Sequence, residues 1–361
     1  MEFFKKQSGL FFGLCTVASL GIMCFVPFSH YAIAGIIVCI ILALLFAYLY
    51  GWNRKQKDMD KIKTELEIAK NKTFIISLLA YFEALKNEHK DFEIIRWGLA
   101  VSKPLWLSHK YTVRKEIGGY VETSARDKKD ISALIHVLID DIGWTNAELL
   151  DYKTARKNIE EGIEFAKKRP DCAFMLAKGY RHLLSINIRD NQINKKEKCE
   201  EYLKLCFKVT NELPEGKKKT ELMAEYYFAK ATYEHAINSN ESNTQALKDI
   251  TEAERLYKQI ADENWEIRIL ARKGDILLSL GKNDYARDLF MDGKNKSRTE
   301  ELKKPLVKSL IGLGNYYLEQ GHNKKAKDEF DDAEKIAIEI GMEYELFIIE
   351  QKKKELDSKM K

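Results

Sequence analysis

Proline is scarce, with five residues in 361, and glycine contributes only nineteen. So few breakers let long helices persist and exclude loop-rich or collagen-like chains. No stretch alternates apolar and polar residues for long enough to build a strand meander, which removes sandwiches and barrels. Catalytic motifs are missing too. There is no His-Glu-x-x-His and no paired Cys-x-x-Cys, and Gly118-Gly119-Tyr120 lacks the strand, the Lys and the further glycines of a phosphate loop. Of six cysteines, Cys15, Cys24 and Cys39 sit in an apolar N-terminal region. Cys199 and Cys206 stand about 10 Å apart if they share a helix, too far to bridge, so a reducing compartment is expected. Cys172, His182, Cys199 and Cys206 follow no zinc spacing. No enzyme activity, cofactor or metal is therefore expected. The net charge of +5 is modest for this length, Lys and Glu are interspersed, and basic residues do not alternate with aromatics along one stripe, which argues against a nucleic-acid partner.

What is present begins with two charge-free runs of twenty residues, 9–28 and 31–50, each long enough to cross a bilayer as a helix. The second carries eleven strongly apolar residues, worth at most roughly −5 kcal/mol on an insertion scale. The first, with three glycines and Pro27, is weaker, and a cleaved signal peptide is the competing reading. Lys5 and Lys6 precede the pair and Arg54, Lys55 and Lys57 follow it, while the turn between has no Lys or Arg. The positive-inside rule then places both ends in the cytoplasm, as in a two-span protein of a bacterial inner membrane. Residues 1–52 are expected to be a transmembrane hairpin in contact with the lipid bilayer, and 53–72 a charged juxtamembrane helix. Its Met59, Ile62, Leu66 and Ala69 share one stripe, which together with Gly9, Gly13 and Gly21 in the spans offers a route to a homo-oligomer.

The rest of the chain repeats itself. Gly274, Gly281, Ala286, Phe290 and Gly293 recur forty residues later as Gly314, Gly321, Ala326, Phe330 and Ala333. A fixed period marks a stacked repeat. Each copy reads as a helix, a Gly-containing turn (Leu280-Gly281-Lys282-Asn283, then Gln320-Gly321-His322-Asn323) and a second helix with small, bulky and small residues on one face. The triplet returns as Ala246, Ile250 and Ala253, as Cys199, Leu203 and Cys206, and as Ala155, Ile159 and Gly162. Helices approach closely only where one presents a small residue, and the bulky residue fills the space beside it.

This pattern resembles the tetratricopeptide repeat (TPR) family: Leu313, Gly314 and Tyr317 match the first helix of its motif, and Ala326, Phe330 and Ala333 the second. The resemblance runs from Ile131 to Gly341 and implies an all-α fold, here an N-terminal two-helix transmembrane hairpin followed by a TPR-like α-solenoid. Residues 73–130 are expected to add helical hairpins ahead of the repeats at 131–341, turning at Asn87-Glu88-His89-Lys90 and starting anew at Pro104. The adjacent Gly118 and Gly119 suggest a close crossing. Polar insertions at 190–198 and 238–244 are expected as surface loops, and 342–361 as a polar capping helix.

In the family, first helices line a groove that binds protein or peptide. Offsets from the packing glycines put Arg268, Arg272 and Asp275 on that groove in one repeat and Lys308, Asn315 and Glu319 in the next. Arg268 and Arg272 resemble half of the family's carboxylate clamp, with Tyr180 and Tyr227 where its asparagines would be. The expected function is a non-catalytic, membrane-tethered adaptor for a protein or peptide at the cytoplasmic face. The alternative is a two-span effector that perturbs the membrane under control of a TPR-like sensor.

Overall fold

The computed structural model describes residues 72–190, 196–299 and 302–360, which form helices throughout. The expected transmembrane hairpin and all but the last residue of the juxtamembrane helix lie outside these residues. Among the described residues no helix is long and apolar enough to cross a membrane, and none is a strand.

The chain runs α1 (Lys72–Asn87), α2 (Asp91–Leu107), α3 (Tyr111–Lys128) and α4 (Ile131–His136), then a π-helical segment (Val137–Trp144) that continues into α5 (Thr145–Glu148). It proceeds through α6 (Tyr152–Ala166), a short 3-10 turn at Pro170–Cys172, α7 (Ala173–Arg189), α8 (Lys196–Asn211) and α9 (Lys217–Ile237). The last part is α10 (Asn240–Gln259), α11 (Glu263–Ser279), α12 (Asn283–Thr299), α13 (Lys303–Glu319), α14 (Asn323–Ile340) and α15 (Glu343–Met360). Sequential helices pack as antiparallel pairs, with α9 on α10, α11 on α12 and α13 on α14, and the pairs stack on one another.

The small-bulky-small faces are the seams of this stack. Ala286, Phe290, Ala326, Phe330, Ala333, Ala246, Ile250 and Ala253 are all fully buried. Gly274 and Gly312 both press on the Phe290 ring, and a Cβ at Gly314 would lie 2.4 Å from Phe330 Cε1. Burying such a Phe contributes about 2–3 kcal/mol, provided its neighbours leave room.

One turn joins most of the hairpins. After α11 the Lys282 N–H bonds the Leu277 carbonyl and the Gly281 N–H bonds that of Leu278, with Gly281 at φ +69°. The same pair of bonds around one left-handed residue follows α1, α2, α3, α5, α10, α13 and α14, centred on His89, His109, Lys129, Leu150, Ala261, Gly321 and Gly341. This closure satisfies carbonyls the helix end would otherwise orphan. Asp130, Asp151 and Asp262 then cap the next helix by accepting the N–H of Ala133, Thr154 and Trp265.

Three expectations change in detail, and one feature is new. Helix α2 runs through Pro104 to Leu107 rather than restarting there. The proline sits near the helix end, where few ladder bonds remain to lose. Residues 240–244 are the first turn of α10, not a loop, because Ser239 and Ser242 bond each other's backbone N–H in a capping box. Gly118 is a close crossing, with Ile142 Cγ2 at 2.5 Å from a Cβ placed there, but Gly119 has open space. Finally, the widened π-turn leaves the Asp140 carbonyl for Arg114, which also binds Ser102, Thr145 and Asp141 at 2.8–3.0 Å.

Candidate partner-binding face

Stacked pairs rotate slightly relative to one another, and over this many pairs the rotation brings early and late helices together on one inner face. There Lys304 of α13 donates to Glu148 of α5 at 2.9 Å, across 156 residues of sequence. Arg189, at the end of α7, approaches Glu148 to 3.4 Å and lies over the rings of Trp144 and Tyr344, at 4.8 and 5.1 Å. Lys308 pairs with Glu345 at 2.5 Å. Burial alone would raise the Glu148 and Glu345 carboxyls; nearby Lys304 and Arg189, joined by Lys308 at Glu345, override it and hold both below the usual range.

The turn between α2 and α3 reaches this face. Trp106 lies under both Lys304 and Arg268, at 5.9 and 5.1 Å, and Tyr111 lies under Lys304 at 5.9 Å. His109 bonds Tyr111 through Nδ1 at 3.0 Å, and burial beside Lys304 and Arg268 pushes the imidazole down to about 3. Behind Arg268, the Trp265 ring sits 4.9 Å from its guanidinium carbon and stacks at 4.9 Å and 6° on the buried Tyr257. The result is a column of cations and rings from α10 to the α2–α3 turn.

The structure places the six groove residues differently from one another. Arg268 and Lys308 belong to the inner cluster just described. Arg272 and Asp275 pair with each other at 3.5 Å, one turn along α11. Asn315 is half-buried with its Oδ1 unpartnered, and Glu319 lies at the exposed end of α13, where burial of its carboxyl raises it against the opposing pull of Lys352 and Lys359. Trp106, Glu148, Arg189, Lys304, Tyr344 and Glu345 were not anticipated. Lys304 stands one turn before Lys308 on the same face of α13 and could have been read from it; for the others the one signal is Trp106, a large aromatic beside a polar turn.

A second polar cluster lies at the π-helical segment, where ligand atoms of His136, Asp140 and Asp141 come within 4.8 Å of one another. Lys178 at 2.9 Å and Arg114 at 3.0 Å already neutralise the two carboxylates, so a metal would have to displace both cations. His182, 1% exposed, stacks on Trp144 at 4.4 Å and stands 3.5 Å from Asp140. Burial pushes the Cys206 thiol up to about 12 and raises Cys199 as well, which keeps both in the protonated form.

No protein-family model matches the chain, and no curated protein matches it. Solved structures do. A Rap protein complexed with Competence and Sporulation Factor superposes with a TM-score of 0.50 at 12% identity, over 90% of this chain and 94% of that one. The fold is TPR-like. A tetratricopeptide repeat protein from Parabacteroides merdae covers 84% of this chain and 99% of its own, at 13% identity and a TM-score of 0.45. A Signal Transduction ATPase with Numerous Domains, carrying a tetratricopeptide repeat sensor, from Pyrococcus horikoshii gives 0.49 at 15% identity; this chain spans 82% of itself and 42% of that protein.

Proposed function

We propose that this protein is a non-catalytic adaptor, tethered to a bacterial inner membrane by residues 9–28 and 31–50, whose TPR-like solenoid binds a protein or peptide at the cytoplasmic face. The observation that carries the reading is the inner face itself. It gathers Arg268, Lys304, Lys308 and Arg189 among the rings of Trp106, Trp144, Trp265 and Tyr344, a mixture of fixed charge and rigid aromatic surface suited to gripping a chain. The Rap protein was solved in complex with a factor, which supports such a use of this architecture. Arg272 and Asp275 continue from Arg268 along α11, and Asn315 and Glu319 from Lys308 along α13. Tethering would keep the solenoid in a thin layer beneath the membrane and raise the local concentration of membrane-bound partners without adding contacts.

The test is capture from a detergent extract by the full chain, followed by mass spectrometry. A partner recovered by the native protein and lost with Arg272→Ala or Asn315→Ala supports the reading; recovery indifferent to both contradicts it. Protease protection of residues 72–361 in inside-out vesicles would contradict the orientation.

A further inference from the structure

The α2–α3 turn carries a histidine where early and late helices meet. Turn closure fixes its place: the His109 N–H donates to the Trp106 carbonyl, the Lys110 N–H donates to that of Leu105, and His109 sits between them at φ +59°. On the same turn Trp106 and Tyr111 are the rings through which α2 and α3 meet Lys304 of α13, and Trp106 also meets Arg268 of α11.

An uncharged imidazole suits this place. Burial, helped by Glu148 and Glu345, holds the Tyr111 phenol well above its ordinary value, so its O–H keeps the proton it can donate to His109 Nδ1 at 3.0 Å. A charged one does not. It would be a third cation beside Lys304 and Arg268 in a half-buried position, and the carboxylates that attract it are already engaged, Glu148 by Lys304 and Arg189, and Glu345 by Lys308. Burial first and then those two cations keep the ring down at about 3, against about 6.5 in water. Moving the turn away from α11 and α13 would lift both penalties together. The docked and released turns therefore differ in proton affinity, and such a difference lets pH set the balance between them.

We propose that His109 is a proton-sensitive catch on the inner face: uncharged, it lets the α2–α3 turn close onto α11 and α13, and its protonation releases the turn and opens the gap between early and late helices. The released state takes up the proton more readily, so closure is at full strength above pH about 6.5 and weakens as pH falls below it, down to about pH 3. Between pH 7.5 and 5.5 the balance should move toward release by about tenfold. Glu148 and Glu345, held below the usual carboxylate range, stay ionised across that window. The other histidines with shifted values lie at other contacts: His182 against Trp144, His136 beside Asp141, and His235 against Asn243. The catch needs neither a partner nor a membrane, and it stands whether or not the adaptor reading does.

The test is hydrogen exchange of the full chain in detergent at pH 7.5, 6.5 and 5.5, read by mass spectrometry. Labelling times are lengthened tenfold for each unit of pH, which cancels the slower intrinsic exchange. Protection of residues 105–114 is expected to fall by about tenfold from pH 7.5 to 5.5 while α9 and α10 keep theirs. His109→Asn, uncharged and tolerant of the left-handed turn, should hold the protection level at all three values. His109→Lys, charged throughout, should show the turn released already at pH 7.5, and His182→Gln should keep the native response. Unchanged protection of the native turn between pH 7.5 and 5.5 would overturn the catch, and this arm needs no variant. A fall that persists in His109→Asn, disappears in His182→Gln, or spreads evenly over every helix would overturn it as well.

Discussion

At the scale of single residues, the seams depend on hydrogen atoms where side chains would otherwise be. A Cβ at Gly314 would sit 2.4 Å from Phe330 Cε1, and the fully buried ring has nowhere to retreat. Gly314→Val should therefore lower stability by at least about 2 kcal/mol, at the upper end of overpacking costs. Gly119 is the contrast: nothing lies within 4 Å of its added Cβ, and it sits inside α3. Gly119→Ala should raise stability by about 0.5–1 kcal/mol, since Ala restricts the unfolded chain and favours helix. Urea midpoints of the two variants moving in opposite directions would bear this out. A titratable residue gives a second test. Burial, helped by Arg181, pushes His182 down to about 3, while an unfolded histidine titrates near 6.5. Between those values the unfolded chain takes a proton that the native state refuses, so stability falls as pH drops, by at most about 1.4 kcal/mol per pH unit for this group. Comparing urea unfolding at several pH values from 6.5 down to 4, His182→Gln should flatten that slope whatever its offset; an unchanged slope would show that His182 does not contribute.

At the scale of the element, the helices and their seams were legible because the repeat writes them in small residues at fixed spacing: Ala286, Phe290 and Gly293 predict a face, and a packed face is what forms. The turns were legible where Gly281 and Gly321 announce them and at the polar run Asn87-Glu88-His89-Lys90, but which residue turns left-handed was legible only at the glycines. His89, His109, Lys129, Leu150 and Ala261 adopt the same left-handed conformation with no marker in the sequence, because the two closing backbone bonds and the packing of the flanking helices impose it. A side chain with a Cβ is disfavoured there by about 1–2 kcal/mol. Ala261 is exposed and has no packing to lose, so Ala261→Gly should stabilise the protein by about 1 kcal/mol and Gly321→Ala should destabilise it by a similar amount. Thermal melting reads both. The π-helical segment was not legible at all, since nothing in Val137–Trp144 marks a wider turn and the extra residue per turn serves a carbonyl-to-Arg114 bond made with a distant helix.

At the scale of the whole stack, the contact of Lys304 with Glu148 is the feature no local pattern contains. Repeat reasoning sees nearest neighbours, and the sum of many small rotations that returns α13 to α5 and the α2–α3 turn is invisible to periodicity. That is why the groove residues were placed on a face but their partners across it were missed. The closure also separates two accounts of its energetics. Glu148 is 5% exposed and Lys304 8%, so removing Lys304 leaves the buried carboxylate with only Arg189, 3.4 Å away, to offset its charge. Lys304→Met should cost about 3–5 kcal/mol, and Glu148→Gln added to it should restore part of that loss, because the stranded charge is then gone. If the pair also holds early helices to late ones, hydrogen exchange in Lys304→Met should rise first in the α2–α3 turn and at the start of α15, with α9 and α10 still protected. Exchange rising evenly across every helix would mean that the buried pair contributes to general stability and does not by itself fasten the two ends of the stack.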